Sequence, residues 1–154
     1  MTRIITIALL LCVLAGTSAA ERRKLVVVVA KSSTMTSISK MDLKHCFLGD
    51  PVSGGGKNLV PFNSEAKTAE RIAFDKAILS MNADEVGRYW VDRKVRGQSS
   101  APRSLPSMAH VVKVVAKFPG AISYVPVDKL TPEMKPLKLD GVAYTDSSYA
   151  LYTE

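Results

Sequence analysis

Disulfide bonding has almost no raw material in this sequence: two of its 154 residues are cysteine, Cys12 and Cys46. Cys12 falls in an apolar N-terminal stretch, so Cys46 stands alone in the remainder, no internal bridge can form, and packing must supply the stability. Histidine is equally scarce. Of His45 and His110, the second has no cysteine, acid or histidine partner at metal-ligand spacing, and it reads as a residue of a helix surface. His45 adjoins Cys46, but successive helical side chains diverge by about 100°, which keeps the two from acting as base and nucleophile. With no nucleophile, base and orienting group in sight, the chain is expected to be a non-enzyme without catalytic residues, metal or cofactor. A dense basic block is also missing. The chain has a net charge of +7, but past Arg3 its basic residues are scattered from Arg22 to Lys138, without interleaved aromatics, so nucleic acid is not an expected partner. What the charge does imply is a general attraction to anions. Long apolar runs are limited to residues 4–14, too few to cross a bilayer core that needs about 20.

That one run carries a meaning of its own. Arg3 gives a positive start, the apolar stretch follows, and Ser18-Ala19-Ala20 supplies the small residues of a cleavage site, so residues 1–20 read as a signal peptide cut after Ala20. Cys12 follows Leu11 in the middle of the run, which does not suit a lipidated cysteine. The expected location is periplasmic or secreted, with no stable membrane insertion after cleavage. The remaining 21–154 are enough for one domain and too few for two.

Along that domain strands and helices alternate. Leu25-Val26-Val27-Val28-Val29 is a β-branched run expected as a central strand buried on both faces. Ser39, with Asp42 three residues on, caps a helix over about 40–48. Gly49-Asp50-Pro51 ends it, residues 53–58 read as a flexible loop, and a short strand follows near 59–62. Asn63 and Ser64 are candidate caps for a helix to about Met81, with Ala69, Ile72, Ala73, Ala77 and Leu79 on its apolar side. Asn82 and Glu85 form a capping box for a helix carrying Val86, Tyr89 and Trp90, the last as a core or interface anchor. Ser107 caps a further helix with an apolar face of Met108, Val111, Val112 and Val115. Pro119-Gly120 ends that helix, and a strand runs over 121–125. After Val127 the pattern weakens: 137–139 and 142–144 are possible strands and 145–154 is expected to fray. This alternation predicts an α/β domain with helices on both faces of a mostly parallel or mixed sheet.

Three stretches resemble the phosphate-binding substrate-binding proteins of ABC importers, and more broadly the type II periplasmic binding fold. Ser39-Lys40-Met41-Asp42-Leu43-Lys44-His45-Cys46-Phe47-Leu48-Gly49 is similar to the family's Ser-x-x-Glu-Leu-x-x-Ile-Phe-x-Gly helix, with Cys46 in an apolar place. Leu59-Val60-Pro61-Phe62 and the residues to Leu79 resemble its strand, polar turn and ligand-facing helix. Pro119-Gly120-Ala121-Ile122-Ser123-Tyr124-Val125 matches its Pro-Gly-Ala-Ile-Gly-Tyr-Val most specifically. The resemblance implies a three-layer α/β/α sandwich like one lobe of a type II periplasmic binding protein, with a PBP-like core over about 24–126 and a C-terminal extension over 127–154. It also implies a solute-binding role, with phosphate or another oxyanion as ligand and an ABC importer or other envelope protein as partner. Where the family has Gly-Ser-Gly-Thr, this chain has Glu65-Ala66-Lys67-Thr68, which brings a negative charge and a side chain to the turn.

The expected oxyanion residues are Ser32, Ser33 and Thr34 after the first strand, together with Ser64, Lys67 and Thr68 at a helix start. Exposed N–H groups and the positive end of a helix dipole suit an anion there. Arg96 offers a guanidinium fork for a bidentate contact. The same hydroxyls also serve as ordinary helix caps, and a ligand-free structural or protein-interaction module that kept the fold is the alternative reading. Binding by a single lobe is expected to be weak or dependent on a partner.

Overall fold

The computed structural model describes residues 21–153; the expected signal peptide and its cleavage point lie outside them. In chain order the elements are β1 (Leu25–Ala30), β2 (Ser37–Ile38), α1 (Lys40–Phe47), β3 (Ser53–Gly54), β4 (Lys57–Asn58), β5 (Val60–Ser64) and α2 (Ala69–Phe74), which runs into a π-helical turn (Asp75–Leu79). Then come α3 (Ala83–Val95), β6 (Arg103–Leu105), α4 (Met108–Lys117), β7 (Ala121–Pro126), a 3-10 turn (Val127–Lys129), β8 (Met134–Pro136) and β9 (Lys138–Leu139). Among the described residues no helix is long and apolar enough to cross a membrane.

The main sheet has five strands in the order β6-β5-β7-β1-β8. β5 is parallel to β6 and β7, whereas β1 is antiparallel to both β7 and β8, so the sheet is mixed. The connections β5 to β6 and β6 to β7 cross the sheet in opposite directions, and right-handed crossovers therefore put their helices on opposite faces. On one face Tyr124 of β7 stacks on Phe74 of α2, with ring centroids 4.0 Å apart and 9° between planes, and Phe47 of α1 packs 4.6 Å from Phe74. The other face is closed by α4, whose Val111 and Val115 are fully buried. This is the three-layer α/β/α arrangement.

Every residue of β1 is buried, because both faces of the strand are covered and both its edges are paired. Fully burying each such valine or leucine is worth about 1.5–3 kcal/mol. The middle of the sheet, however, belongs to β7, with β1 one place further out. An unbroken apolar run signals an interior strand and does not say which one.

The segments after Val127 are tied into the fold. β8 pairs with β1 as an edge strand, where Pro136 is tolerated because an edge can forgo an N–H donor. The stretch expected to fray closes the other end of β1: Leu25 N–H donates to the Leu151 carbonyl at 2.8 Å, Thr153 N–H to that of Arg23 at 2.9 Å, and Val27 N–H to the Tyr149 hydroxyl at 3.1 Å. Tyr149, Leu151 and Thr153 are at most 2% exposed. Their weak local pattern reflects an irregular strap whose alternate side chains enter the core.

Three local readings change as well. Residues 53–58 form the small β3-β4 hairpin. The cap of α2 is Thr68, which accepts from Arg71 N–H, while Asn63 and Ser64 are buried within or at the end of β5. The buried side of α2 and the π-turn holds Glu70, Arg71, Ala73, Phe74, Asp75, Ile78 and Leu79, and Ile72 is half exposed. The expected caps Ser39, Asn82 with Glu85, and Ser107 are all in place.

Cys46 is 2% exposed, beside Phe47 in α1, and burial pushes its thiol up to about 12. Since the thiolate is the reactive form, an aromatic disulfide reagent at neutral pH is expected to label Cys46 only as fast as the protein opens. Labelling at the same rate with and without denaturant, in the chain from residue 21 onward, would refute this burial.

Candidate functional site

The parallel strands β5, β6 and β7 all end on one side of the sheet. From β5 the chain passes to β6 on one flank, and β7 lies on the other, which makes the carboxyl end of β5 a topological switch point. That is where α/β folds generally bind ligands. The turn over 65–67 lies there and is held tightly. Thr68 donates its hydroxyl to the Glu65 carbonyl at 2.9 Å, its N–H to the same carbonyl at 3.1 Å, and accepts from Arg71 N–H at 3.3 Å. Glu65, Ala66 and Lys67 are exposed. Ser64, 1% exposed, sets its hydroxyl close to the Tyr124 phenol, with no partner at good hydrogen-bond geometry.

Beneath the turn is a buried polar cluster. Arg71 donates from Nε to Asp75 Oδ2 at 2.6 Å and from Nη1 to the Ser64 carbonyl at 3.4 Å, which ties the helix to the end of β5. Both side chains of the pair are under 10% exposed. The second Asp75 oxygen is unpartnered. Burial raises the pKa of Asp75, and the charge and hydrogen bond of Arg71 oppose the rise. Tyr124 donates to Asn63 Oδ1 at 3.3 Å, and burial likewise raises its phenol. At the first turn of α2 Glu70 is paired with Arg23, with its charge at the favourable end of the helix dipole.

The structure splits the expected oxyanion residues. Leu25 of β1 faces Pro126 and Val29 faces Ile122, while Val60 faces Ala121 in parallel. Ser64 is thereby level with Val26, at the start of β1, and the loop carrying Ser32, Ser33 and Thr34 leaves the far end, roughly 13 Å of strand away. The antiparallel direction of β1 is the cause. At that end they make contacts within their own loop and with its neighbours. Ser33 Oγ accepts from Met35 N–H at 3.2 Å, and Lys135 donates to the Ser33 carbonyl. A Cβ on Gly55, whose φ is +60°, would come within 2.8 Å of Thr34 Oγ1, so glycine lets the β3-β4 hairpin close on this loop. Arg96 is exposed at the end of α3, where its guanidinium pairs with Asp92 at 3.0 Å. Ser64, Lys67 and Thr68 remain together.

The buried polar cluster of Arg71, Asp75, Asn63 and Tyr124 escaped the sequence reading, which followed apolar spacing along α2 and took Asn63 as a helix cap. Their one local signal is the four-residue spacing of Arg71 and Asp75, which suits a helical ion pair, bracketing Phe74. Trp90 fills an interface: with Tyr89, whose hydroxyl donates to the Leu48 carbonyl at 2.8 Å, it fastens α3 to the end of α1. There Gly49, with φ of +88°, would place a Cβ 3.0 Å from the indole.

The layers, the strand order and the turn after β5 define a domain with the fold of one lobe of a periplasmic-type substrate-binding protein. Solved structures of phosphate transport proteins share it. One is a phosphate ABC transporter substrate-binding protein with bound phosphate from Clostridium perfringens, at 15% identity and a TM-score of 0.70 over 86% of this chain and 53% of that one. PstS from Borrelia burgdorferi superposes with a TM-score of 0.64 at 12% identity over 86% of this chain and 55% of its own. An ABC-type phosphate transport receptor from Vibrio cholerae gives 0.60 at 15% identity, over 77% and 47%. The chain thus spans about half the length of the structures it matches. No family model and no curated protein matches it.

Proposed function

We infer that this is an exported, non-enzymatic solute-binding-like protein that takes phosphate or a similar oxyanion weakly at the turn after β5, alone or completed by a partner such as an ABC importer or another envelope protein. The observation that supports this reading is the buried Ser64 hydroxyl, close to the Tyr124 phenol but without a hydrogen bond of good geometry, at the carboxyl end of β5 beside the turn bearing Lys67. The turn gives the anion one wall only. In water a charge-assisted hydrogen bond gains less than in a closed, dry cleft, so affinity is expected to be low and sensitive to salt.

Titration calorimetry at low ionic strength tests it with two variants of opposite expected sign. Lys67→Ala weakens phosphate binding by removing a charge. Glu65→Gly strengthens it, by roughly tenfold if it relieves a like-charge repulsion of about 1.4 kcal/mol, since repulsion falls and backbone N–H groups become accessible. Absence of phosphate or sulfate heat from both wild type and Glu65→Gly would remove the oxyanion reading. A ligand-free interaction module would then stand in its place. That second reading is favoured by the Arg71–Asp75 pair, in which the guanidinium beneath the turn is already neutralised within the fold.

A further inference from the structure

We propose that the groove between the edge strand β6 and α4 is a docking site for a short acidic, amphipathic segment of a partner protein. The groove is a cavity of about 820 Å³, floored by Phe62, Leu105, Val114 and Phe118. Phe118 remains 44% exposed although it packs edge-to-face on Phe62 at 6.0 Å. An exposed apolar surface of this kind, rimmed by polar groups, marks interaction sites more often than inert surface.

The charge of the rim identifies the partner. Arg103 stands at one wall, and His110, Lys113 and Lys117 follow one another along α4 at three- and four-residue spacing, with Val114 among them. Among the described residues no carboxylate lines the groove, and Arg103, Lys113 and Lys117 make no ion pair. His110 is engaged through Nδ1 with the Ser107 hydroxyl at 2.8 Å, which leaves the two lysines and the arginine as the charged rim. A ligand that buries an aliphatic or aromatic side chain against Phe118 and Leu105 therefore meets three cations awaiting carboxylates.

The strand makes a peptide the better fit. β6 ends the sheet at this side, so alternate backbone groups of Arg103–Leu105 have no neighbouring strand, and an extended segment can pair with such an edge. Pro102 and Pro106 flank β6 and lack N–H donors, which confines backbone pairing to the strand itself. The segment recognised is thus short, with about three to five residues in contact, and its specificity comes from the acidic and apolar side chains.

The test uses fluorescence anisotropy with three labelled octapeptides in which phenylalanine and leucine alternate with glutamate, glutamine or lysine. The glutamate peptide is expected to bind, and the glutamine peptide to bind at least tenfold more weakly. Raising the salt from about 0.05 to about 0.5 M should weaken the glutamate complex severalfold. The double variant Lys113→Glu, Lys117→Glu should lose the glutamate peptide by tenfold or more and acquire the lysine peptide, a gain that a misfolded protein would not show. Phe118→Ser should weaken binding of the glutamate peptide severalfold, with circular dichroism unchanged. Lys67→Ala, which alters the turn after β5, should leave the peptide affinity untouched, so failure here and failure of the oxyanion reading are separable. Equal binding of the glutamate and glutamine peptides, or a double variant that binds as wild type does, overturns the proposal. So does binding to phosphatidylglycerol vesicles with the same lysine dependence when no peptide binds, which would assign the groove to a membrane surface.

Discussion

Replacing Arg71 with alanine is expected to cost about 3–5 kcal/mol of stability at neutral pH, because it leaves the Asp75 carboxylate charged and unpaired in the interior. In the intact protein the carboxylate has one oxygen bonded to Arg71 Nε at 2.6 Å and one without a partner, so loss of the guanidinium removes the one hydrogen bond it makes among the described residues. The deficit should depend on pH. Burial already raises the Asp75 pKa above its ordinary 3.8, with Arg71 holding it down; without Arg71 it rises further. The folded variant then takes up a proton before its unfolded chain does. That contribution to stability is present at low pH and is lost as pH rises through the folded-state pKa. Urea denaturation should accordingly show the gap to wild type narrowing on acidification, and a constant gap from about pH 8 to about pH 4 would contradict the assignment. Converting the pair to Arg71→Met with Asp75→Leu should recover most of the loss, since a buried pair exchanged for apolar residues of similar size is often neutral.

The second large effect is expected at the C-terminal strap. Tyr149→Ala should lower stability by about 3–5 kcal/mol, the usual cost of deleting a buried aromatic ring. Tyr149→Phe separates the hydroxyl from the ring. It keeps the packing but leaves the buried Val27 N–H without its acceptor, for about 1–3 kcal/mol. That N–H lies just beyond the residues of β1 that pair with β8, so the phenol does the work of a missing strand. Thermal denaturation of the two variants checks the order. If Tyr149→Ala melts with wild type, the strap is not part of the folded core.

Much of the fold could be read from the chain because it is written in local chemistry. The helix starts at Ser39, Asn82 and Ser107 are such cases: a side-chain oxygen reaching an N–H two or three residues ahead needs no distant partner. The apolar run of β1 and the Pro119-Gly120 stop before β7 are of the same kind. The cap at Thr68 was missed because Asn63 and Ser64 are equally good caps in isolation, and only the pairing of β5 with β6 and β7 assigns those two to a strand.

The site was less legible, for a reason of direction. A sequence orders its strands without orienting them, so Ser32, Ser33 and Thr34 looked as ready as Ser64 and Thr68 to meet one anion. Pairing β1 antiparallel to β7 sends the first group to the opposite end of the sheet. Burial of Arg71 and Asp75 was hidden because charged residues on a helix are ordinarily solvated, and it took the packing of α2 on β5 and β7 to enclose them.

What the sequence determined by itself was an α/β fold with capped helices and a fully apolar interior strand, since these rest on spacing and on interactions within a few residues. The tertiary structure alone decided which strand lies in the middle, which hydroxyls share an end of the sheet, and that Tyr149, Leu151 and Thr153 close the core. Each of those depends on contacts between residues far apart in the chain, such as Val27 with Tyr149, whose free energy exists only once the sheet has formed.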